Sequence, residues 1–166
     1  MTTQQGDLNL LQDPVAQKLL QDQTVLRLAY TWTDGTPRLV PSWFLWNGKE
    51  VVLGTQPDAP KVKALKQHPE VALSIDTTDF PPNVLLIRGT ARVEVVDGVT
   101  PEYAECSRRY FGRDQGKAWV DQLGSISPQM ARIVITPQWV GILDYEQRFP
   151  SAVERAMQRA QASTSA

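Results

Sequence analysis

Histidine and cysteine are almost absent from this sequence. Its 166 residues include one of each, His68 and Cys106. A single cysteine excludes a disulfide within the chain, and the scarcity of both residues argues against a metal cluster. A Cys/His nucleophilic pair is formally possible. However, Cys106 lies in an amphipathic helical pattern, which favours a buried and inert thiol.

Common catalytic motifs are missing as well. The chain has no G-x-S-x-G motif and no Walker-type glycine loop. Its carboxylates at Asp76, Asp79 and Glu94 are too scattered to predict an acid–base pair. An enzyme with this sequence is therefore expected to rely on a cofactor, with the protein supplying orientation and electrostatics.

An excess of one charge and long apolar runs are also lacking. With 17 Lys and Arg against 18 Asp and Glu, the formal net charge is −1, so we expect no nucleic-acid partner. No apolar run approaches the roughly 18 residues that span a bilayer. The N-terminus has neither the basic nor the apolar region of a secretory signal. We expect a cytoplasmic protein without a membrane partner.

What the sequence does contain is a series of short strands joined by tight turns. The dipeptides Asp34-Gly35 and Asn47-Gly48 are typical of β-hairpins. Strands are predicted over residues 24–33, 38–46, 50–55, 71–76, 84–96 and 130–144, the last interrupted at Pro137, and helices over residues 10–20, 60–67, 100–111 and 115–123. This pattern indicates a mainly β fold, an antiparallel barrel with short helical insertions.

The predicted elements also suggest boundaries. We divide the chain into a flexible N-terminus (residues 1–9), a barrel domain (10–147) and a tail (148–166) that is helical and then disordered. Within the barrel, Pro41 favours a sheet edge or a bulge because it donates no ladder hydrogen bond. Gly89 suggests a bulge or a close backbone approach.

The segment from Thr55 to Lys61 has the composition of an anion site. Thr55 ends a strand, and Lys61 follows Pro60 at the start of a short helix. A helix N-terminus offers unpaired N–H groups and a partial positive charge, to which Lys61 adds a full one. Arg38 and Lys63 are further candidates. The alternative from spacing alone is a solvated basic helix without a ligand.

Aromatic residues cluster before this segment. The strand over residues 38–46 is apolar on both faces, so we expect both to be covered. Its aromatic side chains and a tryptophan of the preceding hairpin suit a planar ring: Trp32, Trp43, Phe44 and Trp46. The alternative is that they belong to the barrel core and a dimer interface.

Four motifs in this order resemble a known family. They are D-G-x-P-R-L-V-P-S-W-F (34–44), G-T-x-x-x-x-P-K-V-x-x-L (54–65), H-P-x-V-A-L-S-I-D (68–76) and I-R-G-T-A-R-V (87–93). Over residues 19–145 the sequence resembles the FMN-binding split-barrel superfamily, the pyridoxamine 5′-phosphate oxidase-like proteins. Within it, the small flavin- or deazaflavin-dependent oxidoreductases are the most similar.

The resemblance implies a six-stranded split β-barrel and a homodimer with two cofactors at the subunit interface. It places Arg38, Val40 and Pro41 against the isoalloxazine ring and Trp43 on the substrate side. Phosphate contacts would come from Thr55, Pro60 and Lys61. Trp139 would approach the cofactor from the last strand, possibly that of the other subunit.

The sequence also departs from a true pyridoxamine phosphate oxidase. It lacks the paired Arg-Lys at the phosphate helix, which here reads Pro60-Lys61-Val62-Lys63, and a basic C-terminal substrate motif. Oxidation of vitamin B6 is therefore not expected. We predict an oxidoreductase that transfers a hydride between FMN and a small organic substrate. A deazaflavin-dependent reductase and a non-catalytic flavin- or haem-binding protein are the alternatives.

Overall fold

One antiparallel sheet of seven strands dominates the structure. The computed structural model describes residues 4–23 and 25–164. The strands are β1 (Val25–Thr31), β2 (Pro37–Trp43), β3 (Leu45–Trp46), β4 (Val51–Thr55), β5 (Glu70–Asp76), β6 (Val84–Asp97) and β7 (Gln129–Leu143). They are ordered β2-β1-β5-β6-β7-β4-β3 and the sheet does not close, as expected of a split barrel.

The two outermost strands are consecutive parts of one segment. β2 pairs with β1, whereas β3, only two residues further on, pairs with β4 at the other end of the sheet. Between them Phe44 is fully buried in the core. The predicted single strand over residues 38–46 is therefore wrong, because the chain changes pairing partner at Phe44. This break also raises the strand count from the predicted six to seven.

Five α-helices and one 3₁₀ helix join or flank the strands in the described part of the chain. They are the 3₁₀ helix Leu8–Gln12, α1 (Pro14–Asp22), α2 (Pro60–Gln67), α3 (Pro101–Phe111), α4 (Arg113–Ile126) and α5 (Ser151–Thr164). Two of these helices have a side-chain N-cap: the Asp13 side chain accepts from the Val15 N–H, and that of Thr100 accepts from the Tyr103 N–H. In each case a proline at the first helical position needs no hydrogen-bond acceptor.

The core lies inside the curled sheet. Leu26 and Leu28 of β1, Leu73 and Ile75 of β5, and Ile133 of β7 are all buried there. Two residues of α2, Ala64 and Leu65, join the same core. Helix α2 is thus held in place by its apolar face, which fixes the position of its N-terminus relative to β4.

Gly89 forms the predicted bulge. The register between β6 and β7 shifts between Arg88 and Gly89, where Arg88 lies opposite Trp139 and Gly89 opposite Pro137. A Cβ on Gly89 would lie 2.3 Å from the Thr136 carbonyl oxygen. The predicted interruption at Pro137 is wrong, since β7 continues through it. Pro137 keeps a partner in the register, whereas the next residue, Gln138, has none. The extra residue of the bulge therefore lies on β7, beside the proline.

The structure describes contacts near the N-terminus and a helix near the C-terminus. The Gly6 N–H donates to the Val140 carbonyl (2.7 Å), and the Gln5 amide bonds both backbone groups of Ile142. Two residues of the segment predicted to be flexible, Gln5 and Gly6, thus bond to β7. Residues 1–3 of the predicted flexible segment lie outside the described residues. The predicted C-terminal helix is confirmed as α5; of the four last residues predicted to be disordered, 163 and 164 are helical and 165–166 are not described.

The helices of the described chain were compared with the length and hydropathy that a membrane-spanning helix needs. None of its helices is both long and apolar enough to cross a bilayer.

Candidate functional site

The end of β4 and the start of α2 form the first half of the candidate site. Thr55 is the last residue of β4 and lies opposite Ala131 of β7. After the short loop, α2 begins at Pro60, and its N-cap residue Ala59 provides no side-chain hydrogen bond. The first turn of α2 therefore lacks the side-chain acceptor that usually satisfies free N–H groups.

Lys61 lies in that first turn and is partly buried. Burial lowers the pKa of its ammonium, since removal from water disfavours the charged form. Within residues 4–23 and 25–164 no carboxylate or other hydrogen-bond acceptor contacts this ammonium. A partly buried cation without a partner, beside an uncapped helix N-terminus, fits the phosphate of a cofactor.

The other basic candidates lie apart from Lys61. Lys63 is exposed. The Arg38 guanidinium lies 5.8 Å from the Trp32 ring and donates to the Thr36 hydroxyl (2.7 Å). Both contacts hold Arg38 at the hairpin end of β2, and no described contact brings it to the phosphate half of the site.

The side chains predicted on β2 divide between its two faces. Val40 lies opposite the core residue Leu28 and packs on the barrel interior. Successive residues of a strand alternate in direction, so Pro41 and Trp43 lie on the outer face. Two of the predicted ring contacts, Val40 and Pro41, therefore point in opposite directions.

Outside the sheet, this face of β2 borders a cavity of about 380 Å³. Its walls come from β1, β2, β4, α3 and α4: Val25, Pro41, Ser42, Trp43, Gly54, Tyr103, Phe111 and Trp119. Gly54 immediately precedes Thr55. The cavity is therefore adjacent in the chain to the candidate phosphate site, although alternation along β4 directs Gly54 outward and Thr55 to the same side as the core residue Leu53.

Four aromatic rings line this cavity, and a fifth, Tyr110, packs on Trp43 beside them. The Trp43 ring centroid lies 5.3 Å from that of Tyr103, 5.1 Å from Tyr110 and 5.5 Å from Phe111. The Phe111 ring lies 6.3 Å from Trp119, whose indole N–H donates to the Tyr103 hydroxyl (3.1 Å). These five side chains, called the aromatic wall below, combine one strand with two helices.

Sequence reasoning did not find most of the aromatic wall. Of its members only Trp43 was predicted. One signal was available, since Tyr103 and Tyr110 are seven residues apart and so lie on the same side of α3. The rest of the predicted aromatic set is elsewhere: Phe44, Trp32 and Trp46 pack in or against the core, as the alternative interpretation had it.

Two contacts hold α3 against the sheet. The Glu102 carboxylate accepts from the Arg132 guanidinium of β7 (2.6 and 3.0 Å). Burial by itself raises the pKa of Glu102. The hydrogen bond and the charge of Arg132 lower it by more, so the pKa lies below its ordinary value. A Cβ on Gly54 would lie 2.9 Å from Tyr103 Cδ2. The glycine thus lets Tyr103 approach the strand closely.

Trp139 lies far from the phosphate half within one chain. Thr55 is opposite Ala131, and Trp139 is eight residues further along β7, about 26 Å at ~3.3 Å per residue. The Arg88 guanidinium lies 4.2 Å from the Trp139 ring centroid. A single chain does not bring Trp139 and Thr55 to one cofactor.

The remaining reactive groups are consistent with cofactor chemistry. Cys106 is buried, as predicted, and burial raises the pKa of its thiol to about 11, so the nucleophilic thiolate is disfavoured. In the described part of the chain, no group of three or more His, Cys, Asp or Glu residues is placed to hold a metal ion.

The sequence and the fold are both similar to those of known proteins. The sequence matches the pyridoxamine 5′-phosphate oxidase family over residues 12–144. No curated protein matches it at a significant level.

Solved structures share the fold at low identity. One described as an F420 reductase is 23% identical with a TM-score of 0.57, covering 75% of this chain and 94% of that one. A conserved hypothetical protein from Mycobacterium tuberculosis is 20% identical with a TM-score of 0.65, covering 87% and 91%. The haem storage protein HutZ from Vibrio cholerae is 16% identical with a TM-score of 0.57, covering 78% and 93%.

Proposed function

Because the chain belongs to the pyridoxamine 5′-phosphate oxidase family, we propose that it binds FMN and acts as a flavin-dependent oxidoreductase on a small organic substrate. The observation that carries this proposal is Lys61, a partly buried ammonium without a partner among the described residues. When bound, FMN supplies hydride transfer at its N5 atom.

The residues of the chain hold and orient the cofactor in this proposal. Lys61 and the first turn of α2 bind the phosphate, and Thr55 adds a hydroxyl donor. The outer face of β2, with Pro41 and Trp43, lies beside the isoalloxazine ring. The protein then needs no side-chain nucleophile, in keeping with the buried thiol of Cys106.

We also propose that the active form is a homodimer. A row of side chains crosses the outer face of the sheet, with each residue opposite the next on the neighbouring strand: Leu39, Ala29, Ala72, Arg88 and Trp139. Leu39 is 65% exposed, and a second copy packed on this row would remove its apolar surface from water. A second copy on this row would bring its Trp139 towards the cofactor, which the same chain cannot do.

A deazaflavin-dependent reductase is the second candidate. One structurally similar protein is described as an F420 reductase. Next to the phosphate half, Lys63 and Lys66 line a further cavity of about 350 Å³ with residues 57–59. These two cations offer contacts to the polyglutamate tail of a deazaflavin coenzyme. Because the two charges are separated on the helix, they favour that coenzyme only weakly. FMN therefore remains our proposal.

A non-catalytic binder of flavin or haem is the third candidate, since the fold is shared with a haem storage protein. Turnover separates it from the enzyme. Purified protein with bound, reduced cofactor should pass electrons to an acceptor faster than free cofactor does. A rate equal to that of free cofactor would favour binding alone.

The first test is a titration of cofactor-free protein with FMN, followed by flavin fluorescence. Lys61→Ala should weaken binding by about 1.5–3 kcal/mol, because a charge-assisted contact is lost. Lys63→Ala is the matched control, with the same charge change on the exposed side of the same helix, and should change the affinity little. Equal affinities of the wild type and Lys61→Ala would contradict the phosphate site.

The second test is the absorbance spectrum and mass of the small molecule that co-purifies with the protein. A bound FMN supports the proposal, and a deazaflavin or a haem supports the corresponding alternative.

A further inference from the structure

We propose that the cavity behind the aromatic wall binds the substrate, and that this substrate is an uncharged, planar aromatic molecule. That the bound molecule is a substrate rests on the proposed function. The binding site itself rests on the cavity alone. It consists of the 380 Å³ space bounded by β2, Gly54, α3 and α4.

The chemistry of the walls selects against charge. None of the eight lining residues is a lysine, arginine, histidine, aspartate or glutamate. The two hydroxyl groups already have partners, as Ser42 donates to the Trp43 carbonyl (3.2 Å) and Tyr103 accepts from the Trp119 indole (3.1 Å). A charged ligand would lose its hydration and find no counter-charge there.

The geometry of the rings selects a planar apolar ligand. Trp43 meets Tyr103 and Tyr110 at 46° and 42°, and Phe111 at 79°. Such tilted rings offer both faces and edges to a further ring. Phe111 and Trp119 are 39% and 37% exposed, so apolar surface beside the cavity remains open to solvent, as is typical of ligand sites.

Position relates the cavity to the cofactor. Its wall includes Pro41 and Trp43, which lie on the outer face of β2, and Gly54, which precedes Thr55. A ligand in this cavity lies next to the region where the flavin ring would sit. A second copy of the chain is the competing occupant of the aromatic wall, and the test below includes it.

Calorimetric titration of the protein as purified tests the proposal, with a matched pair of probes that differ in charge. We expect 2-naphthol to bind at least about tenfold more tightly than 2-naphthoate, because the carboxylate is desolvated without compensation. Pyridoxine 5′-phosphate should bind no better than 2-naphthoate. Equal affinity for both naphthalene probes would overturn the inference.

Variants locate the binding. Phe111→Ala should weaken 2-naphthol binding by about tenfold, through loss of ring contacts. Trp119→Phe, which keeps an aromatic ring and guards against a variant that fails to fold, should weaken it less. Phe80→Ala is the control, since Phe80 is 94% exposed and does not line the cavity. An unchanged affinity in Phe111→Ala would contradict the site.

Two further readouts separate the possible failures. If Phe111→Ala dissociates a dimer, measured by light scattering, while neither probe binds the wild type, the wall is a contact between copies and the inference is wrong. FMN affinity is measured on the same proteins. Loss of FMN binding with retained 2-naphthol binding would overturn the proposed function alone, and the reverse result would overturn this inference alone.

Discussion

Lys61 meets two opposing requirements at the scale of a single residue. Its burial disfavours the charged form in the cofactor-free protein and lowers its pKa from 10.5. A bound phosphate has the opposite effect, since an anion stabilises the ammonium. The charged form of Lys61 is therefore disfavoured in the cofactor-free protein and stabilised when a phosphate is bound.

The pH dependence of cofactor binding should reveal this. Below the lowered pKa of Lys61, the free and the bound protein both carry the ammonium, and affinity is constant. As pH rises above it, the free protein loses the proton and binding must restore it, so affinity falls by up to about tenfold per pH unit. The measurement is the FMN dissociation constant from pH 7 to 10.

Lys61→Arg is the matched control for this titration, because a guanidinium remains protonated throughout. Its affinity should lack the additional fall, whereas ionisation of FMN affects both proteins alike. Parallel curves for the two proteins would show that the Lys61 proton is not coupled to binding.

The residues of the site differ in how far sequence could predict them. Thr55, Pro60 and Lys61 are close in the chain, so a strand end and a proline-initiated helix predict their proximity. The aromatic wall unites Trp43 with residues about 60 to 76 positions later through helix packing on the sheet, which local patterns do not encode. By contrast, the alternation of a strand predicts that Val40 and Pro41 point to opposite faces of β2, whereas the family resemblance groups both at the ring.

At the scale of elements, the bulge between β6 and β7 depends on Gly89. A Cβ there would lie 2.3 Å from a backbone oxygen, and backbone cannot move aside as a side chain can. Gly89→Ala should destabilise the protein by roughly 2–3 kcal/mol or more. Chemical denaturation measures the change.

A second glycine provides the control. A Cβ on Gly124 in α4 would find only Val99, at 3.9 Å. Gly124→Ala should therefore stabilise the protein by about 0.5–1 kcal/mol through helix propensity. Equal effects of the two substitutions would show that the close approach at Gly89 is not required.

The loop after β7 is held by one carboxylate. Burial by itself raises the pKa of Asp144. Backbone N–H groups of Gln147, Arg148 and Glu146, together with the Arg148 guanidinium, outweigh it and lower the pKa to about 2. Arg148 also pairs with Asp13 (2.7 Å), the N-cap residue of α1. Asp144 thereby joins the two ends of the domain.

Acid should weaken this connection in a defined range. The pKa is lower in the folded state than the ordinary value of 3.8, so the ionised carboxylate contributes about 2 kcal/mol above that value. The contribution is lost as pH falls towards 2. Asp144→Asn should cost about 2 kcal/mol at pH 7 by urea denaturation, and the difference from the wild type should shrink below pH 4. Asp79→Asn, in an exposed loop, serves as control.

Element prediction succeeded where one local signal decides the outcome. The dipeptides Asp34-Gly35 and Asn47-Gly48 predicted the hairpins β1–β2 and β3–β4, and Gly89 predicted the bulge. It failed at Phe44, because the change of pairing partner depends on which strands lie at either end of the sheet. It also failed at Pro137, since a bulge at the next residue of the same strand, Gln138, lets β7 continue past the proline.

At the scale of the whole molecule, the outer row from Leu39 to Trp139 is the proposed contact between two copies. Leu39→Arg would place two charges in that contact, with an expected cost of roughly 3–5 kcal/mol. Light scattering should show a shift towards monomer, with weaker FMN binding in parallel. A variant that stays dimeric and binds FMN normally would contradict the proposed interface. A cytoplasmic location stays a prediction.

The sheet edges described above have a consequence for self-association. An uncovered strand edge is a template on which other chains can add, and fibres can grow from it. Here one edge, β2, carries Pro37 and Pro41, which donate no hydrogen bond, and the other, β3, is only two residues long. Both edges thus offer little to an incoming strand. In the proposed homodimer, two copies would therefore meet through the face of the sheet, and neither edge would favour further growth.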